Sequence, residues 1–72
     1  MMSYEQARAE MLTLAGDAFF SMEEIVPQRP LDYCKPTYRV AVIGDTRILG
    51  EGPSWKKAIT NLRAQMEGRQ AA

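Results

Sequence analysis

A chain of 72 residues, of which 46% are apolar and 25% charged, is long enough for one small domain with a single core and too apolar for a disordered tail. Nine basic and nine acidic residues cancel, so the molecule has no net field that would attract nucleic acid or an anionic membrane. One cysteine cannot form an internal disulfide, and the sequence has neither a signal-peptide pattern nor a membrane-length apolar run, which predicts a cytoplasmic protein. We expect a single domain over residues 1–72, with 69–72 frayed.

The first predicted element is a helix that begins near Tyr4. Ser3 and Gln6 have the spacing of a capping box, in which both side chains bind amide groups at the start of the helix. Apolar residues then recur at helical spacing as far as Val26, before the first proline. One long helix is favoured because this phase is kept across Gly16, where a glycine costs only about 1 kcal/mol.

The alternative is a helix that ends at Gly16. Ser21 and Glu24 have the spacing of a second capping box, with Phe20 and Ile25 in the places of a hydrophobic staple. A broken helix would bury Phe20 locally. In one long helix, Phe20 lies opposite the apolar stripe and becomes a candidate for contact with a partner.

Three prolines between Val26 and Tyr38 predict an extended connector, because each fixes its φ angle and lacks a backbone donor. Residues 31–35 alternate weakly between apolar and polar. An alternative for this segment is therefore a third strand at the edge of the sheet.

A hairpin follows the connector. Tyr38, Val40 and Val42 alternate with Arg39 and Ala41, which is the pattern of a half-buried strand. Residues 44 and 45, Gly-Asp, predict a two-residue turn, after which residues 46–50 return. This register pairs residues 43 and 46 and makes residue 40 face residue 49.

The last predicted element is a helix capped by Ser54 and stopped by Gly68. The order of elements predicts an α+β fold, in which two helices pack on one face of a two- or three-stranded antiparallel sheet. The predicted core consists of Val40, Val42, Leu49, Ile59, Leu62 and Met66.

The sequence contains no residue set for catalysis. Because it has no histidine, it lacks a histidine-dependent triad and histidine metal ligands. Cys34 has no neighbouring base, and one sulfur cannot build a tetrahedral zinc site, so we expect a half-buried thiol beside a strand. The prediction is a protein that is not an enzyme and holds no cofactor or metal.

Two features near the last helix have alternative interpretations. Gly50 and Gly52 are favoured as a plain turn, although a glycine turn before a helix can also offer amide groups to an anion beside Lys56 and Lys57. Trp55 is favoured as a cover over the core, and the alternative is an anchor in an interface.

Residues 49–68, a strand end with Gly-Glu-Gly followed by Ser54, Lys56 and Lys57, resemble the end of a double-stranded-RNA-binding domain. The order of helix, strands and helix agrees with that family. The resemblance implies that Lys56 contacts phosphates across a groove, while the first helix touches a minor groove. Trp55 stands at the family's first lysine position, and Ile59 stands at a later one. The same glycine turn and amphipathic helix also resemble the HicB-like antitoxin fold and very small phage proteins.

Together these features predict a non-enzymatic interaction module whose open sheet face and edges bind a protein or a nucleoprotein complex. Arg39, Ala41 and Ile48 are expected to line that open face. The small size and the missing catalytic set resemble phage-encoded accessory proteins that inhibit or redirect a host complex, such as anti-CRISPR proteins. The alternative is nucleic-acid binding through a basic strip on the last helix, and a homodimer is a further alternative. The strip consists of Lys56, Lys57, Arg63 and Arg69.

Overall fold

The computed structural model describes residues 2–26 and 35–71, with the side chains of 69–71 excepted. The elements of this part of the chain are α1 (Tyr4–Ala15), β1 (Phe19–Ile25), β2 (Thr37–Ile43), β3 (Arg47–Gly52) and α2 (Trp55–Ala71). The strands form one antiparallel sheet in the order β1-β2-β3. The predicted α+β class is confirmed, and the sheet has three strands.

The end of α1 differs from the favoured prediction. The helix stops at Ala15, because Gly16 adopts a positive φ of 59° and its N–H donates to the carbonyl of Leu12 over 3.2 Å. The alternative prediction that the first helix ends at Gly16 is thus confirmed. Residues 19–25 form β1, so both the long helix and the second capped helix are wrong for this segment. In an extended chain, Phe20 and Met22 both face the core, which helical spacing does not allow.

The third strand thus comes from a segment for which the sequence pattern indicated a helix. The alternative strand at residues 31–35 and the half-buried thiol of Cys34 fall on residues 31–34, which lie outside the described ranges. The same holds for most of the predicted extended connector.

The hairpin of β2 and β3 has a different register from the predicted one. Its loop has three residues, 44–46, so Ile43 pairs with Arg47 and Val40 pairs with Gly50. A shift of one residue moves every side chain of a strand to the other face of the sheet. Ile48 therefore faces the core, and Leu49, which was predicted in the core, lies on the opposite face with 39% of its surface exposed.

Both helices pack on one face of the sheet, here called the inner face. The fully or almost fully buried residues of this core are Ala7, Met11, Val40, Val42, Ala58, Ile59 and Leu62. Four of the six predicted core residues are thus confirmed, and Met66 packs against them while half-buried. Leu49 is the exception.

Two glycines allow α2 to lie directly on β3. A methyl group at Gly50 would stand 2.4 Å from the carbonyl oxygen of Ala58 and 2.5 Å from the amide nitrogen of Leu62. Gly52 has a similar close neighbour in Lys57, at 2.8 Å. Both glycines belong to β3 itself, so the interpretation of this segment as a plain turn is wrong, and the close approach of the helix explains the residue type.

The predicted starts of both helices are confirmed. The Ser3 hydroxyl accepts a hydrogen bond from the Gln6 amide, while the Gln6 side chain accepts one from the Ser3 amide. At α2, the Ser54 hydroxyl accepts a hydrogen bond from the Lys57 amide over 3.2 Å. The predicted stop at Gly68 is wrong, because α2 continues through this residue to Ala71.

Candidate functional site

The face of the sheet that points away from the helices is the main candidate surface, here called the open face. Pairing between the strands places eleven residues on it, in four rows across the sheet. The rows are Phe19–Ile43–Arg47, Ser21–Ala41–Leu49, Glu23–Arg39–Glu51 and, on β1 and β2 alone, Ile25–Thr37. Both described helices lie on the inner face, and none of the residues in ranges 2–26 and 35–71 forms a second layer here.

One half of the open face is mainly apolar, with Arg47 as the one charged residue of its two rows. Phe19 is 82% exposed and stands directly opposite Ile43, which is also exposed. Leu49 is a diagonal neighbour of Ile43, and such neighbours lie about 7 to 8 Å apart on a sheet. Ala41 is fully buried between Ser21 and Leu49. The result is a continuous apolar patch near the hairpin loop.

The other half of the open face carries charge. The Arg39 guanidinium donates from Nε to the Glu51 carboxylate over 3.1 Å, and both side chains remain partly exposed. Glu23 is the neighbour of Arg39 on the other side. Two carboxylates and one guanidinium thus form a polar border with a net charge of about −1 beside the apolar patch.

The predicted partner-contact residues fall on different surfaces. Arg39 lies on the open face, as predicted from its alternation with Val40. The prediction that Ile48 lies there is wrong, since Ile48 packs against the core. Phe20 is half-buried on the inner face of β1.

Trp55 packs between two aromatic rings, which supports its interpretation as a cover over the core. Its ring centroid is 4.7 Å from that of Tyr38 and 5.8 Å from that of Tyr4. Trp55 is half-buried in this cluster.

Sequence reasoning missed the exposed apolar residues of the open face. Phe19 is the most exposed of them, and its neighbour Phe20 faces the core. Successive side chains of a strand point to opposite faces, so two adjacent aromatic residues place one ring outside. Two adjacent aromatic residues indicate an exposed ring only once the segment is known to be a strand.

The basic strip of α2 is only partly free. Lys56 and Lys57 are exposed in the first turn of the helix. Arg63 donates a hydrogen bond to the Glu10 carboxylate of α1, so its positive charge is paired with a negative one. The side chain of Arg69 lies outside the described part of the structure.

An open groove of about 730 Å³ runs between the two helices along this ion pair. It is lined by Met2, Gln6, Ala9, Glu10, Thr13, Lys56 and Arg63. Its charges are mixed, so the groove offers neither a strongly cationic channel nor a converging pair of acids.

One titratable group has a shifted pKa. Packing against neighbouring groups desolvates the Tyr38 hydroxyl and raises its pKa, and the hydrogen bond to the Glu24 carboxylate at 3.2 Å and the negative charge of that carboxylate raise it further. Tyr38 lies near the start of the central strand β2, and its ring packs against Trp55. A raised pKa keeps this hydroxyl protonated near neutral pH.

Within residues 2–26 and 35–71, no three acidic, cysteine or histidine side chains come together in a group that could hold a metal ion. In the same ranges, neither helix is both long and apolar enough to cross a bilayer.

Comparison of the chain with protein-family models, with curated proteins and with solved structures finds no match. The functional argument therefore depends on the surfaces of the molecule itself.

Proposed function

We propose that the protein is a non-enzymatic interaction module of the cytoplasm, which binds a partner protein through the apolar half of its open face. The observation that carries the proposal is the 82% exposure of Phe19 beside the exposed side chains of Ile43 and Leu49. Exposed apolar side chains that form a patch with a polar border are typical of protein interfaces.

The chemistry of this patch favours a protein over a polyanion. Large aromatic side chains contribute strongly to protein interfaces, whereas a phosphate backbone is bound by cationic side chains. The charges of the open face cancel, because Glu23 and Glu51 balance Arg39 and Arg47, so this face has no excess of cations for a phosphate backbone. A partner with an apolar patch beside a basic residue would complement both halves of the open face.

The biological role that we propose is that of a phage-type accessory protein, which inhibits or redirects a host complex as anti-CRISPR proteins do. The support is the resemblance in size together with a surface suited to binding and no legible catalytic set. The partner is then a protein or a nucleoprotein complex contacted through its protein component.

The test is quantitative capture of partners from host lysate by the tagged protein and by three variants. Leu49→Glu and Leu49→Lys place opposite charges in the patch, and Ala64→Glu places a charge on an exposed position of α2 as the matched control. We expect one protein complex to be retained by the parent and by Ala64→Glu and to be lost by both Leu49 variants. Capture that is equal in all four proteins, each shown to be folded by circular dichroism, would contradict the proposal.

A second candidate function is binding of double-stranded RNA, because Lys56 and Lys57 are both exposed at the start of α2. The resemblance to the double-stranded-RNA-binding domain assigns a phosphate contact to this position. The ion pair of Arg63 with Glu10 and the zero net charge speak against it. We expect no duplex binding tighter than about 10 μM at physiological salt in a mobility-shift titration. Sub-micromolar binding that disappears in the double variant Lys56→Glu, Lys57→Glu would favour RNA binding instead.

A further inference from the structure

The outer edge of β1 has properties that proteins usually avoid at the edge of a sheet. All seven residues of β1 pair with β2 without interruption, so no bulge bends the strand. The strand contains no proline, a residue that commonly protects an edge from pairing, and its charged residues are Glu23 and Glu24. In the described ranges, no further strand pairs with β1 on its outer side.

The other edge of the sheet is different. β3 contains two glycines, and the side-chain amide of Asn61 donates a hydrogen bond to the carbonyl oxygen of Glu51 in this strand. The helix α2 thus supplies a partner to the backbone of β3. The comparison identifies β1 as the edge that is better suited to receive another strand.

Exposed apolar side chains gather on the same side of the molecule. Phe19, Ile25 and Val26 lie on or next to β1, and Val26 is 63% exposed. Leu12 of α1 is 50% exposed. At 100° per residue, Leu12 lies on the flank of α1 opposite Glu10, and Glu10 contacts α2. Because α1 covers β1 and β2 while α2 covers β3, Leu12 is on the side of the free edge.

We propose that a second copy of this chain pairs with the edge of β1 in antiparallel orientation and makes one continuous six-stranded sheet. A two-fold axis through Met22, the central residue of the strand, allows all seven residues to pair. This register places Phe19 opposite Ile25 of the second copy on the open face. It also places Ser21 opposite Glu23 of the second copy. Leu12 of each copy then lies on the flank of α1 that is nearer to the paired β1 strands.

The neighbouring symmetric registers are worse. An axis through Glu23 would place two Glu23 carboxylates directly opposite each other, and like charges in this position are destabilising. An axis through Ser21 would leave Ile25 without an opposite residue in the strand. Both shifts reduce the number of paired residues to about five.

The size of the molecule is compatible with such a dimer. A standard interface takes about 800 Å² from each partner, which is roughly one seventh of the 5493 Å² of surface described for the monomer. The proposal goes beyond the binding of a partner protein, because the dimer would present two copies of the open face on one side of the continuous sheet.

The test uses two charges at one position. In the proposed register, Ser21→Glu places a carboxylate opposite Glu23 of the second copy, twice by symmetry, whereas Ser21→Lys places an ammonium group there. We expect the dissociation constant of the dimer to rise roughly tenfold in Ser21→Glu and to fall in Ser21→Lys. Sedimentation equilibrium over a range of concentrations measures both, and circular dichroism at the lowest concentration confirms that each variant is folded.

Three outcomes overturn the proposal. They are a parent protein that stays monomeric at hundreds of micromolar, a dimer that neither substitution affects, and a dimer that both substitutions weaken. The last result would indicate contact through the middle of the open face or a register with Ser21 on the axis. Because the experiment uses the purified protein alone, its failure is distinct from a failure of the Leu49 variants to lose a partner.

Discussion

Replacing Gly50 with alanine tests the contact on which the packing of α2 depends. The added methyl group would stand 2.4 Å from the Ala58 carbonyl oxygen, and an ordinary contact needs about 3.4 Å, so α2 has to move away from β3 by about 1 Å. A gap of this size removes roughly a quarter to a half of the dispersion energy between the atoms that it separates. Because all three nearest atoms belong to the backbone of α2, no change of rotamer relieves the clash.

The expected cost is about 3 kcal/mol of unfolding free energy, which is the upper part of the range for overpacked cores. A glycine-to-alanine change also lowers the conformational entropy of the unfolded chain, which offsets about 0.4 to 1 kcal/mol of this cost. The net loss of about 2 kcal/mol or more corresponds to a melting temperature lower by roughly 10 to 20 °C in a domain of this size. Thermal and urea unfolding followed by circular dichroism at one fixed protein concentration measure the change.

The matched control is the same substitution at Gly68. This glycine lies in α2 with no atom close to the position of the added methyl group. Alanine is favoured over glycine in a helix by about 1 kcal/mol, so Gly68→Ala should raise the melting temperature by roughly 4 to 8 °C. A Gly50→Ala protein as stable as the parent would refute the close packing of α2 on β3. A destabilised Gly68→Ala protein would show that the helix ends at this glycine.

Three further predictions concern the core, a cap and a tyrosine. Leu62→Ala should lower the free energy of unfolding by about 2 to 5 kcal/mol, because Leu62 is fully buried. Leu49→Ala should lower it by less than half as much in the same urea titration, and equal losses would favour the register predicted from sequence. Ser54→Ala should destabilise the fold by about 0.5 to 2 kcal/mol, because it removes the acceptor of the Lys57 amide, and should leave partner capture intact. Loss of capture at an unchanged melting temperature would favour an anion site at the start of α2. Because the pKa of Tyr38 is raised in the folded protein, the unfolded chain loses this proton at a lower pH than the folded chain does. Stability should therefore fall as the pH rises above about 10, and Tyr38→Phe should reduce that fall in thermal melts at increasing pH.

Local signals were sufficient to predict part of the fold from sequence. The capping serines Ser3 and Ser54 act through hydrogen bonds to residues three positions away, so their effect is legible in a short window. The inward residues of β2 and of α2 follow regular periods. These elements agree with the structure because neighbouring residues decide them.

Two other features could not be read in this way. In segment 19–25, Phe19, Met22 and Ile25 have helical spacing, and the apolar residues do not alternate as those of a half-buried strand do. The positive φ of Gly16, which ends α1 before this segment, is a property of the folded chain. The hairpin register depends on whether the loop has two or three residues, and that single residue exchanged the roles of Ile48 and Leu49. For the open face, the sequence therefore predicts the position of Arg39 and does not predict that of Phe19.

The order of the elements along the chain has a consequence for biosynthesis, because α2 is made after the strands on which it packs. This helix provides Ala58, Ile59 and Leu62, which are three of the seven residues in the buried cluster, and it covers the bare glycines of β3. A ribosome that adds about 5 to 20 residues per second needs roughly one to three seconds for the 17 residues of α2. During this time the inner face of the sheet lacks α2, so the core is completed only after α2 has been made. A chain truncated before α2 would keep that apolar surface exposed and would be open to proteases.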